Sequence, residues 1–197
     1  QGGAVPFWAV SLSMLQGPVA AEAPEIRAAV PAAAFVSEMA APLQAAATET
    51  LRQLKAGDTA ARAPALLGLA AAAVAGIWKA DKPDASAVKP AASFLKEVAL
   101  PFCAGLAELL EGSAGQMRLP EGMAELVGEV CQSVAGTCAQ KGAEALRPEA
   151  SATLFRLGVA ASLPRGEEEA EAKDEAPAGP PAVALAEACG TALVDLG

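Results

Sequence analysis

Histidine and tyrosine are absent from this 197-residue chain, and aromatic residues make up only 4% of it. Without histidine there is no Ser-His-Asp or Cys-His nucleophile and no His-based metal site. No GxxxxGK[ST] or GxGxxG occurs, so nothing in the sequence cradles a nucleotide phosphate. No catalytic, cofactor-binding or metal-ligating residue is therefore nominated, and the chain is not expected to be an enzyme. Basic residues are few and scattered, 14 against 23 acids for a net charge of −9, which argues against direct binding of nucleic acid. Strand-favouring residues are scarce. With 53% hydrophobic residues, much of that share alanine, an all-α fold is expected.

The four cysteines form no CxxC. Cys131 and Cys138 fall seven apart on one expected helix, about 10 Å along its axis, too far for one bridge. Buried reduced thiols are the preferred reading, which suits a cytosolic or nuclear protein. The longest apolar run, Ala63 to Trp78, has 16 residues and is rich in alanine. A bilayer span needs about 20, so a buried helix is expected there and no membrane insertion. A chain that starts at Gln1 without Met and stops within an apolar stretch is expected to be a piece of a longer protein.

What is present is a recurrence. Residues 31–51 (PAAAFVSEMAAPLQAAATETL) return as 90–110 (PAASFLKEVALPFCAGLAELL), 59 residues later, with ten of 21 positions identical. Four identities are alanines. The others are Pro31/Pro90, Phe35/Phe94, Glu38/Glu97, Pro42/Pro101, Glu49/Glu108 and Leu51/Leu110. A second block follows at an offset of 60, in which Leu66, Gly68, Val74, Ala75 and Gly76 return as Leu126, Gly128, Val134, Ala135 and Gly136. Self-similarity over a helical pair points to stacked repeats, that is, an α-solenoid of antiparallel helix pairs spaced about 59 residues apart.

Helices are expected at about 4–16, 25–55, 60–79, 86–112, 119–145 and 148–163, with 1–165 forming one solenoid segment. Phe35, Met39 and Leu43 step by four, and Leu51 and Leu54 extend the face. Pro42 and Pro101 fall inside their helices at matching places and should bend or break both. Asp84 or Ser86 is the expected cap of the helix that follows the KADKPD loop. Arg147-Pro148 opens a weakly matching third unit. Residues 166–181, GEEEAEAKDEAPAGPP, have no apolar period and read as an acidic, proline-rich mobile loop before a terminal helix at 182–197. Glu167, Glu168, Glu169, Glu171, Asp174 and Glu175 in that loop are the candidate partner-binding residues. The acids Glu38/Glu97 and Glu49/Glu108 suit exposed faces of equivalent helices. Trp8 and Trp78 either pack between helices, the preferred reading, or anchor a partner.

A kinked first helix followed by a second helix of small residues resembles a HEAT repeat, although ordinary units span about 40–47 residues. Residues 65–100 (ALLGLAAAAVAGIWKADKPDASAVKPAASFLKEVAL) resemble the C-terminal arch of the transportin-SR branch of importin-β-like nuclear transport receptors. There an apolar helix leads through a polar loop into an "xxxFLxEL" helix, matched by Ser93-Phe94-Leu95-Lys96-Glu97-Val98. Residues 126–157 are similar to the next repeat, with Thr153-Leu154-Phe155-Arg156-Leu157 at its "LFxL" ending. The resemblance covers about two thirds of the chain. The alanine content and the acidic insertion depart from it. It implies a right-handed superhelical stack, in the cytoplasm and nucleus, that binds protein cargo on a concave surface and releases it to Ran-GTP. Ran-GTP would be bound by parts of the parent protein outside this chain. The acidic balance favours basic or Arg/Ser-rich cargo. A generic helical-repeat scaffold or trafficking adaptor, and a small helical-bundle membrane or organelle protein, are the alternatives.

Overall fold

The computed structural model describes residues 36–58, 63–79, 85–113, 117, 119–120, 122–163 and 181–197. All of them belong to one compact unit, Ala32–Gly197. The expected helix at 4–16, the first part of the helix at 25–55, Trp8, Asp84 and the acidic loop lie outside the described residues. Among the described residues every regular element is helical, and no strand is present.

Helix α1 is Ala40–Lys55. Arg52 and Lys55 stand in its last turn, where positive charge complements the helix dipole. Gly57 ends it. At φ +71° it takes the left-handed conformation, its N–H donates to the Leu54 carbonyl, and the Asp58 N–H donates to that of Gln53. These two bonds satisfy the last carbonyls in the Schellman pattern. Helix α2, Ala65–Trp78, starts after the extended Pro64 and buries Leu67, Ala70, Ala71, Val74 and Ala75.

The next helical run has three parts. A 3-10 turn at Ala85–Ala87 leads into α3, Val88–Phe94; a π turn, Leu95–Ala99, then continues into α4, Leu100–Gly112. Ser86 therefore lies inside the 3-10 turn and does not cap α3, which follows Ala87 with no side-chain cap. Helix α5 is Met123–Cys138. It is shorter at both ends than the expected 119–145, because glycines punctuate it. Gly122 precedes it at φ +78° and Gly142 follows it at φ +100°. After the 3-10 turn Glu144–Leu146 comes α6, Arg147–Ser162, with proline in its first turn, and then α7, Pro181–Leu196.

Both expected breaks are present, in different forms. In the first copy the helical residues 36–38 are interrupted at Met39, whose backbone (φ −95°, ψ 5°) leaves the helical range three residues before Pro42. In the second copy the π turn widens the helix just before Pro101. Proline has no N–H, so Pro101 leaves the Glu97 carbonyl without its usual helical donor. The Gln44 side-chain amide on α1 donates to that carbonyl at 3.0 Å.

The main contacts join alternate elements. α1 lies beside the π turn and α4, and α4 lies beside α6. In the same way α2 lies beside α5, and α5 beside α7. α6 and α7 also pack closely on each other, whereas α1 touches α2 lightly. The core between them is built from small and branched residues, with Leu43, Leu67, Leu106, Val127, Val130, Val134, Leu154, Leu157 and Leu185 fully enclosed. Phe94 and Phe102 are the buried aromatic residues among those described.

Candidate partner-binding surface

The six acids nominated from the sequence, Glu167, Glu168, Glu169, Glu171, Asp174 and Glu175, lie outside the described residues. The surface that is described is built by the seams between helices. On the α2/α5 seam Gly68 faces Leu126 and Gly122 faces Ala63. At its far end the Trp78 indole lies so close over Gly136 that a Cβ there would sit 2.5 Å from the ring. The indole Nε1 donates to the Thr137 hydroxyl at 2.9 Å, which gives the fully buried Thr137 a partner. Beside it Lys79 Nζ donates to the Gln132 side-chain oxygen at 2.6 Å. Trp78 is thus a half-buried packing residue of this seam.

The repeated acids are on the outside. Glu38, Glu97, Glu49 and Glu108 are all exposed. Glu49 accepts two hydrogen bonds from Arg52, both at 2.7 Å, and one from Gln53 at 2.9 Å. The Arg52 bonds, then that of Gln53, hold its carboxyl down to about 2. Arg156 on α6 makes the corresponding link between helices. It donates to both Glu111 oxygens on α4, at 2.9 and 2.7 Å, and lies 3.5 Å from Glu108. The Arg156 bonds lower the Glu111 carboxyl. At Glu144, hydrogen bonds from its own N–H and that of Gly142 hold the carboxyl down. These are exposed, salt-sensitive pairs that set helix orientation more than stability.

Three of the four cysteines converge in the interior. All four are buried and reduced. Burial raises the Cys103 thiol, and its hydrogen bond to Cys189 together with burial raises Cys131. Thiols held in this form are poor nucleophiles. Among the described residues no group of three or more His, Cys, Asp or Glu is arranged to hold a metal ion. Among them, too, no helix is long and apolar enough to cross a membrane, and α2 itself has 14 residues.

Sequence reasoning missed two features. One is the Gln44–Glu97 link, whose acceptor Pro101 announces but whose donor no spacing rule identifies. The other is an exposed apolar stripe, Phe155, Val159 and Leu163, at 61%, 49% and 39% exposure. Its four-residue step was visible, but so was that of the buried Leu154 and Leu157 alongside it. Helix α6 is apolar on two sides, and periodicity alone does not say which is covered.

No protein-family model, curated protein or solved structure matches this chain.

Proposed function

We propose that this chain is a segment of a HEAT-like α-solenoid that recognises another protein noncovalently, in the manner of an importin-β-like nuclear transport receptor. The observation that carries the reading is the α2/α5 seam. Residues 58 or 59 apart in the chain meet there: Ala63 with Gly122, Gly68 with Leu126, Trp78 with Gly136. The sequence recurs with nearly the same period, as stacking of equal units requires. The first row of the stack would be α1, α4 and α6, and the second row α2, α5 and α7.

Such a stack touches only its neighbours along its length, flexes, and offers a long curved wall to a partner. The net charge of −9 attracts a basic or Arg/Ser-rich cargo segment over a Debye length, and the acids at 167–175 would add to that field. Recognition rather than catalysis is the proposed activity, without direct contact to nucleic acid and without membrane insertion. Cytoplasm and nucleus are the proposed locations, and Ran-GTP would act through other parts of the parent protein.

Capture of the chain by an immobilised Arg/Ser-rich peptide tests the charge term. Binding is expected to fall steeply between low and physiological salt, and binding that ignores salt counts against the proposal. A generic helical scaffold or trafficking adaptor would have the same seams. Ran-GTP binding by the full-length parent separates the two, because a scaffold without a transport role has no reason to respond to it.

A further inference from the structure

Two seams of this molecule share one device, a bulky side chain seated over a glycine. Leu51 on α1 covers Gly105 on α4, and Trp78 on α2 covers Gly136 on α5. The same two parts occur again on the free face of α6 and α7, where they do not meet. Phe155 stands 61% exposed on α6, in line with Val159 and Leu163. On α7, Val183 and Val194 are 47% and 80% exposed and lie eleven residues apart, about three turns along one side. Gly190 lies between them, and a Cβ there would meet nothing within 4 Å. α6 and α7 pack on each other, and α4 and α5 cover their inner flanks.

We infer that this face binds a second copy of the chain about a twofold axis, with Phe155 of each copy seated over Gly190 of the other. A twofold interface brings one surface against itself, so it needs a projection and a hollow on the same face. Phe155 and Gly190 supply both. An unrelated partner could fill the hollow or receive the projection, but only a second copy is bound to do both at once. The dimensions agree with a modest dimer. Two helices of 16 residues each present a face of roughly 24 by 20 Å, about 1,000 Å² over both copies, at the lower end of specific interfaces. Glu187, exposed on the same side of α7, brings like charge into the contact and holds the affinity to the micromolar range. The inference rests on these helix faces alone and does not depend on the cargo reading.

Sedimentation equilibrium of the full chain over about 1–500 µM is the test. The wild-type chain is expected to dimerise within that range. Phe155→Glu should weaken association more than tenfold with unchanged helicity. Gly190→Leu is the sharper variant. It adds apolar surface, so a patch that is merely sticky would associate more tightly, whereas filling the hollow that Phe155 needs should weaken the dimer more than tenfold. A wild-type chain that stays monomeric throughout overturns the inference and leaves the face to another occupant. Tighter association of Gly190→Leu, or no response to Phe155→Glu, overturns it as well.

Discussion

The two seams between the repeated blocks use the same parts and settle at different registers. In α2/α5 the close approaches join residues 58 or 59 apart, against a sequence recurrence of 60. In α1/α4 the close approach, Leu51 to Gly105, joins residues 54 apart, although those helices recur at 59. The first pair of helices has therefore slid by about four residues relative to the second, one turn or roughly 6 Å. The difference teaches what each seam is made of. α2 and α5 meet through small, buried, mostly apolar surfaces that lock at one depth. α1 meets the π turn and α4 through a polar link, the Gln44 amide on the Glu97 carbonyl, and through a leucine end that is only half-buried.

Removing the lock should cost most. Trp78→Ala deletes the indole over Gly136 and leaves the buried Thr137 hydroxyl without its donor. A loss of about 3 kcal/mol is expected from combined packing and hydrogen-bond terms. Urea denaturation followed by far-UV circular dichroism measures it, and a loss below about 1 kcal/mol would mean that this seam does not hold the repeats together. Gly136→Ala comes next. Its new methyl would lie 2.5, 2.8 and 2.9 Å from Trp78 Cδ1, Cγ and Cβ, atoms near the root of the side chain that cannot swing clear. Overpacking of about 3 kcal/mol exceeds the helix-propensity gain of about 1, so a net loss of about 2 kcal/mol should appear in the same melt.

The polar seam should respond less. Gln44→Ala withdraws the donor from the Glu97 carbonyl that Pro101 already deprives of a helical N–H. The site is exposed and water can substitute, so a loss of about 1 kcal/mol or less is expected. Amide exchange should rise locally in residues 95–99 without a global change. If exchange instead rises throughout α4, the link supports the whole helix and the contrast between the seams is weaker than drawn.

Acid probes the surface pairs. Arg52 lowers Glu49 and Arg156 lowers Glu111 in the folded chain. A depressed folded pKa stabilises above the unfolded value and is lost as pH falls through the folded one. Stability from these pairs should thus be complete at neutral pH and decline from about pH 5 toward pH 2, following the ordinary carboxylate pKa at the upper end. Thermal melts of the wild-type chain and of an Arg52→Gln/Arg156→Gln variant should differ at pH 7 and converge near pH 2. Parallel curves would mean that neither pair is coupled to folding.

Much of this was legible in the sequence and some was not, for physical reasons. Helix content followed from composition, and the breaks at Pro42 and Pro101 followed from the missing N–H. The turns at Gly57 and Gly142 were marked by residues that tolerate positive φ. The exposure of Glu38, Glu49, Glu97 and Glu108 followed from charge. The end of α5 at Cys138 was harder, because apolar periodicity continues past it and only the glycine at 142 shows that the chain turns. The form of each break was out of reach. Proline demands that the helix adjust, but whether it adjusts by a turn at Met39 or by a π turn depends on the neighbour it must reach. The exposed stripe on α6 was hidden because helix period reveals faces, not which of them is covered.

The finest separation of the seams comes from Gly105→Ala, where the same apparent crowding should have almost no effect. A Cβ at Gly105 would come within 2.6 Å of Leu51 Cδ1, as close as the clash at Gly136, while the other Leu51 atoms stay at 3.5 and 3.6 Å. The obstacle is a single methyl at the free end of a half-buried leucine, and a rotamer change removes it. That rearrangement costs about 1 kcal/mol, and alanine in place of glycine inside a helix returns about as much. The two cancel, so the denaturation midpoint should move by no more than about 0.5 kcal/mol in either direction. A loss of about 2 kcal/mol, equal to that expected for Gly136→Ala, would show that Leu51 is held as firmly as Trp78. The α1/α4 seam would then be a second lock, and its one-turn slide would have to come from packing instead of from the Gln44 link.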